Sequence, residues 1–368
     1  MDSLIDYILW MSDIPVKVTG FRDADALVLN NLAYINMTRV FEEKKDVVYL
    51  RDCRKLIEEG KVEAEIAIKD DKYTELLRAA VDSKRFGDLR ISNYIDVKST
   101  EPPVQFAVVC FHDDEEKLSF IAFRGTDDTI AGWHEDFIIC YSVTEAQKMA
   151  KGYVENVIAN DPERRWMMGG HSKGGNLALY AGTTMNRELF AHVERIYDLD
   201  GPGLCLGVMG WPSVDRVLAK TTRIIPEFSV VGRMFDMNIP DTKIVRSSAK
   251  GILQHAPITW GIEHGRIAVC EKNSPVSAWF NEFFANWTAC SGIEERKIFL
   301  DEVFEAISAG GAVTLEDITS QGIEGFKGIQ LRLKNASDVT KRVMYDFTKQ
   351  AFFSSIFPGV GGNTKHLK

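Results

Sequence analysis

The residues best suited to chemistry are Gly170-His171-Ser172-Lys173-Gly174. They fit G-x-S-x-G, in which a strained strand-to-helix turn holds a serine hydroxyl out at the top of a sheet. Gly170 and Gly174 have a steric reason, because a side chain at either place would collide with the strand or helix that the turn brings together. Ser172 is therefore a candidate nucleophile, able to take an acyl group as a covalent ester. The competing reading is a serine that merely caps the helix. At average composition three such fixed positions recur by accident in about one protein out of eight to ten of this length, so the setting has to carry the argument. Trp166-Met167-Met168 suits a buried strand, and a helix-capable stretch runs from Gly174 to about Met185. Gly175 and Ala178 are small where that helix must lie close to the sheet, and Leu177, Tyr180 and Ala181 supply its apolar face.

A nucleophilic serine also needs a base, an acid to orient it and donors for the oxyanion. Of the seven histidines, His171 lies inside the turn with its ring directed away from Ser172, His112 belongs to the polar turn His112-Asp113-Asp114-Glu115-Glu116, His192 follows a helix and His366 sits in the tail. The chain order Ser, acid, His leaves His255 and His264. Leu253-Gln254-His255-Ala256-Pro257 is a loop shortly after the strand around Ile244 and is preferred, whereas Glu263-His264-Gly265 reads as an exposed turn. For the acid, Asp200 in Asp198-Leu199-Asp200-Gly201-Pro202-Gly203 ranks first, because a strand there ends in a glycine turn. Glu227, ending the next strand, ranks second, and Asp198 shares the face of Asp200 within its strand. The backbone N–H of Lys173, at the start of the helix, is the first oxyanion donor. Gly125-Thr126, after the strand Leu118–Phe123, offers the second through the amide and hydroxyl of Thr126.

The elements that must position these groups follow from the pattern of the chain. The first 84 residues read as a helical extension without chemistry, with helices from Leu4, after Asp23 or Asp25, over Leu56 to Glu63 and over Thr74 to Val81. From Val104 to Phe111 and Leu118 to Phe123 the texture is a β-hairpin; Glu145 to Ala159 is an amphipathic helix; further strands lie at Arg195–Leu199, Thr222–Ile225 and Lys243–Val245. Strands alternating with helices over residues 85–272 predict a mostly parallel sheet with helices on both faces, with reactive groups at the strands' carboxyl ends. After residue 273 helix returns. Ser274-Pro275 starts one that carries the stripe Trp279, Phe280, Phe283, Phe284 and Trp287, read as core packing, and Gly310-Gly311 breaks it before further helical segments and a loose tail.

Composition narrows the class. A chain of 368 residues with 45% hydrophobic content can bury a large core, and a net charge of -9 gives no basic footprint for nucleic acid. The six cysteines lack C-x-x-C spacing and read as buried thiols. No apolar run approaches the ~18 residues of a membrane span, and Met1-Asp2-Ser3-Leu4 lacks a basic leader, so a cytoplasmic protein is expected, with peripheral membrane contact left open. No H-E-x-x-H or clustered ligand set appears; no metal and no cofactor are expected.

Phe123-Arg124-Gly125-Thr126, then Gly132-Trp133-His134-Glu135-Asp136, then the Ser172 turn resemble the fungal-type (class 3) lipases of the α/β-hydrolase fold. With Asp200-Gly201-Pro202-Gly203 and Gln254-His255, the set is similar to a bacterial branch of lipase-like proteins, over roughly residues 85 to 265. The resemblance implies Ser172 as nucleophile, Thr126 and Lys173 as oxyanion donors and His255 as base. It also exposes a departure. Those lipases place the acid after the strand that here reads Arg223-Ile224-Ile225, where this chain has Ser229-Val230-Val231, so the carboxylate must come from Asp200 or Glu227 or the triad is incomplete. A lid is implied near residues 129–143, with Phe137-Ile138-Ile139 over the site and the aromatic C-terminal helix as a further cap. The expected function is cleavage of small-molecule or lipid carboxylic esters. An acyltransferase or thioesterase using the same triad, and a catalytically silent binding or scaffold protein, are the alternatives.

Overall fold

The computed structural model describes residues 1–43, 47–62, 64, 71–100, 103–126, 136–308 and 333–346. The strands are β1 (Val48–Tyr49), β2 (Arg90–Thr100), β3 (Pro103–Asp113), β4 (Leu118–Phe123), β5 (Arg165–His171), β6 (Val193–Leu199), β7 (Thr221–Pro226), β8 (Asp241–Val245), β9 (Ile262–Glu263), β10 (Arg266–Ile267) and β11 (Val269–Cys270). Among the described residues nine of them form one sheet in the order β1-β2-β3-β4-β5-β6-β7-β8-β11. Neighbours from β4 to β8 run parallel, while β1 to β4 and the β8–β11 pair are antiparallel. This is the mostly parallel α/β-hydrolase architecture.

The parallel strands β4 to β8 follow one another in space as in sequence. Right-handed crossovers between them must therefore put their helices on one face. Helix α4 (Glu145–Asn160) and helix α5 (Lys173–Thr184) lie there, covering Val108, Cys110, Ile121, Phe123, Met168 and Ile196. The opposite face carries Val109, Phe111, Phe120, Ala122, Tyr197 and Leu199, and needs a cover of its own. The N-terminal helices α1 (Leu4–Met11), α2 (Asp23–Leu32) and α3 (Lys72–Asp82) supply it, sharing one apolar core with that face. With both faces covered, all six residues of β4 are buried. A buried clamp ties these helices together: Arg85 donates to both carboxylate oxygens of Asp25 and to the carbonyls of Ile14 and Gly20, and Tyr7 donates to Asp25.

Three expectations need correction. Strand β2 lies before the hairpin expected from Val104, and β3 runs through His112 to Asp113, so His112 is not in a turn. It is 3% exposed, with hydroxyls of Ser92 and Ser119 each 2.7 Å from its ring nitrogens, and those partners let a polar ring sit in the sheet. Cys53, Cys110 and Cys140 are buried, but Cys205 and Cys270 are only partly so and Cys290, the last residue of its helix, is exposed.

The C-terminal helices α6 (Pro275–Cys290) and α7 (Ile293–Ser308) pack on the segment after Asp136. Ser274 caps α6 and Pro275 opens it, as the sequence indicates. Phe283, Phe284 and Trp287 share a core with Cys140, Met234, Leu300 and Phe304, and the ring centroid of Phe137 lies 5.6 Å from that of Phe304. Arg296 of α7 donates to the Cys140 carbonyl at 3.0 Å. Residues 129–135 of the expected lid, the Gly310-Gly311 break and the tail lie outside the described residues. No described helix is long and apolar enough to cross a membrane.

Candidate active site

Ser172 follows β5 and immediately precedes α5, with φ 56° and ψ -128°. That left-handed region is costly for a residue with a Cβ and persists only where the surroundings over-determine it. Here they do. A Cβ on Gly170 would overlap the Gly174 backbone, and one on Gly174 would overlap the Phe123 carbonyl, so the two glycines let strand, turn and helix close on each other. The Ser172 hydroxyl makes no capping bond to α5, against the reading of a mere cap.

His255 and Asp200 meet across two loops beyond the same edge of the sheet. Asp200 directly follows β6, at φ 49°, and is 1% exposed. Its Oδ2 lies 2.7 Å from His255 Nδ1. A carboxylate accepts only, so Nδ1 carries the proton and Nε2 is left as the basic nitrogen. The turn is braced from below by Asp198, whose two oxygens accept from the Gly201 amide at 2.9 Å and from Arg223 Nε at 2.6 Å. Asp198 thus serves the turn. Glu227, the second-ranked acid, is directed elsewhere: its carboxylate faces the Cys270 thiol, which burial and then that charge push up in pKa. His264 is exposed in the turn between β9 and β10. Ser229, at the strand end where the resemblance expects an acid, donates its hydroxyl to Asp200 Oδ1 at 2.5 Å.

His171 has a different task. Its Nε2 lies 2.7 Å from the His255 carbonyl and its Nδ1 2.7 Å from the Tyr34 hydroxyl. A carbonyl can only accept, so Nε2 carries the proton and Tyr34 donates to Nδ1. Both nitrogens are spent, and burial, with the nearby His255, holds the ring well below the ordinary histidine pKa. His171 is therefore a neutral strut under the His255 loop, their ring centroids 4.5 Å apart. Tyr34 comes from just beyond α2 and lies over Gly125, where a Cβ would overlap its hydroxyl. One buried chain thus joins the N-terminal helices, the Gly125 loop, the serine turn and the histidine loop. Tyr34→Phe leaves Nδ1 of His171 unpaired and should lower stability by about 1–3 kcal/mol; an unchanged denaturation midpoint would rule the strut out.

Near the turn's other side, Thr126 donates its hydroxyl to Asp136 Oδ2, and the buried Lys173 ammonium lies 3.7 Å from Asp136 Oδ1. Asp136 thus anchors both residues that sequence assigned to the oxyanion site. The Lys173 amide belongs to the first turn of α5, where no intrahelical acceptor exists and the helix dipole favours an anion. Among the described residues no group of three or more His, Cys, Asp or Glu is placed to hold a metal.

Tyr34, Ser229 and the bracing role of His171 were not assigned from sequence. Ser229 carried a signal there only as the place where a carboxylate is missing, and Asp136 only as the last residue of the Gly132-Trp133-His134-Glu135-Asp136 stretch.

Among curated proteins none matches the chain. Solved structures similar to it include a mutant form of MDLA from Penicillium cyclopium, at 10% identity and a TM-score of 0.40, covering 67% of this chain and 83% of that one. Lipase II from Rhizopus niveus is 15% identical with a TM-score of 0.33, covering 61% and 80%. A lipase from Rhizopus microsporus var. chinensis is 16% identical with a TM-score of 0.36, covering 68% and 78%. With the model of the Mbeg1-like family matching residues 80–305, more than half of its length, the chain belongs to that family.

Proposed function

We propose that this protein is a serine hydrolase that cleaves carboxylic esters of small molecules or lipids. The observation that carries the reading is the 2.7 Å bond between His255 Nδ1 and Asp200, made at the sheet edge where Ser172 is held in a strained turn. In this mechanism Ser172 Oγ attacks the ester carbonyl while His255 Nε2 takes its proton. Asp200 keeps the imidazole in the required tautomer and offsets the charge it gains. The amides of Lys173 and Thr126 receive the oxyanion, with Asp136 fixing the Thr126 side chain. His255 then hands the proton to the leaving alcohol, and water, deprotonated by the same nitrogen, frees the acyl group.

The contact this reading adds is Ser172 Oγ to His255 Nε2; such bonds are often long in a free enzyme and tighten on the substrate. Phe137 to Ile139, joined to the C-terminal helices through the Phe137 ring, form the base of the proposed lid. Ser172→Ala should abolish turnover of short and medium p-nitrophenyl esters at an unchanged melting temperature. Parent-level turnover by that variant would refute the mechanism.

A further inference from the structure

We propose that Gln254 is a positioning residue for the catalytic base: its side chain ties the turn that carries His255 to the end of β7, the strand on which Asp200 is also set. The inference rests on the hydrolase reading above and concerns what fixes the base relative to the acid.

The imidazole of His255 is carried by the short turn Gly251–His255, in which no residue is buried. Its two large apolar side chains, Ile252 and Leu253, are exposed. Apolar packing therefore does not hold this turn, and polar contacts must. Three of them lie at its last two residues. Trp260 Nε1 donates to the Gln254 carbonyl at 2.7 Å and His171 Nε2 to the His255 carbonyl at 2.7 Å, so two end on the main chain and do not depend on which side chain residue 254 carries. The third does: Gln254 Oε1 accepts from the Phe228 amide at 2.9 Å.

Phe228 is a fixed reference point, because both its neighbours are bonded. The Glu227 amide donates to the Val245 carbonyl at 3.2 Å, its carbonyl accepts from Ser277 Oγ at 3.0 Å, and the Ser229 amide donates to that same hydroxyl at 2.7 Å. The acid is set on the same strand, since the Asp200 amide donates to the Ile224 carbonyl at 2.8 Å. The chain from Ile224 to Phe228 thus locates both partners of the 2.7 Å bond between Asp200 Oδ2 and His255 Nδ1. Without the Gln254 acceptor the turn keeps its main-chain bonds but loses its tie to that strand. Small losses of register between base and acid are costly in rate, because reacting groups must meet within a narrow geometry.

The test uses the full chain, with circular dichroism to verify folding, and reads the kcat and KM for a p-nitrophenyl ester and the rate of fluorophosphonate labelling. Q254M keeps the length of the side chain and removes the acceptor, and should lower kcat and the labelling rate by about tenfold or more at unchanged KM. Q254E offers the Phe228 amide a carboxylate oxygen in place of the amide oxygen and should recover at least about fivefold of that loss. A side chain that only fills space predicts the opposite order, since methionine packs at a half-buried position at least as well as an added charge does. Parent-level kcat in Q254M overturns the proposal, as does a loss confined to KM or a folded Q254E that recovers less than stated. Should Q254M not fold, Q254A removes the same acceptor and is judged by the same outcomes. A parent chain that neither labels nor turns over ester refutes the hydrolase reading itself, a failure seen before any substitution is made.

Discussion

Replacing Asp200 with asparagine should lower kcat for ester hydrolysis by about 10⁴-fold while leaving the protein folded. Ser229 donates to Oδ1 of residue 200, so an amide there keeps its carbonyl oxygen toward Ser229 and turns its NH₂ toward His255. Two donors cannot share a bond. Nδ1 of His255 must then give up its proton and accept, which moves the proton to Nε2, and the imidazole can no longer take one from Ser172. The volume hardly changes and Asp198 still braces the turn through Arg223 and the Gly201 amide, so the melting curve should keep its cooperative form. A folded Asp200→Asn variant within tenfold of the parent would show that this carboxylate is not the acid. Glu227, facing Cys270, would not be its replacement without rearrangement of the loop.

Acid should destabilise the protein steeply. His112 is buried in the sheet between Ser92 and Ser119, and burial, followed by the charges of Arg90 and Arg164, lowers its pKa to about 3. His171 is likewise held well below 6.5, first by burial and then by His255. Above pH 6.5 both rings are neutral in the folded and the unfolded chain and add no pH dependence. Below it the unfolded chain binds protons that the folded chain refuses, so stability falls with pH, for His112 until about pH 3. A ring that stays neutral contributes a slope of about 1.4 kcal/mol per pH unit, so His112, at about 3, accounts for roughly 2–3 kcal/mol between pH 6.5 and pH 4.5, and His171 acts in the same direction. Urea midpoints should therefore drop across this range, and His112→Asn should make the profile shallower. A flat profile would mean that these rings are not buried in neutral form.

The sequence made the strand-turn-helix around Ser172 legible because glycine spacing and apolar periodicity are local signals. Asp200 was legible for a similar reason, as a carboxylate placed where a strand gives way to Gly201. Strand β2 was harder to see, since a register shift between Ser92 and Ile95 breaks the alternation that marks a strand. Tyr34 illustrates a different limit. Its helix reads as packing material, and nothing near it announces that its hydroxyl spans 137 positions to reach His171. Ser229 reads in the sequence only as the place where a carboxylate is missing, although its hydroxyl contacts Asp200 in the structure. Neither contact is encoded by neighbours in the chain. Both follow from the sheet order, which sends all crossover helices to one face and brings the N-terminal helices over the other.

The most direct measurement is the intact mass and peptide map of the protein after treatment with a fluorophosphonate. The expected result is one covalent phosphonyl adduct on Ser172, absent in Ser172→Ala and formed far more slowly in His255→Ala. A folded protein that takes up no adduct, or carries it on another residue, would contradict the assignment of Ser172 as an activated nucleophile.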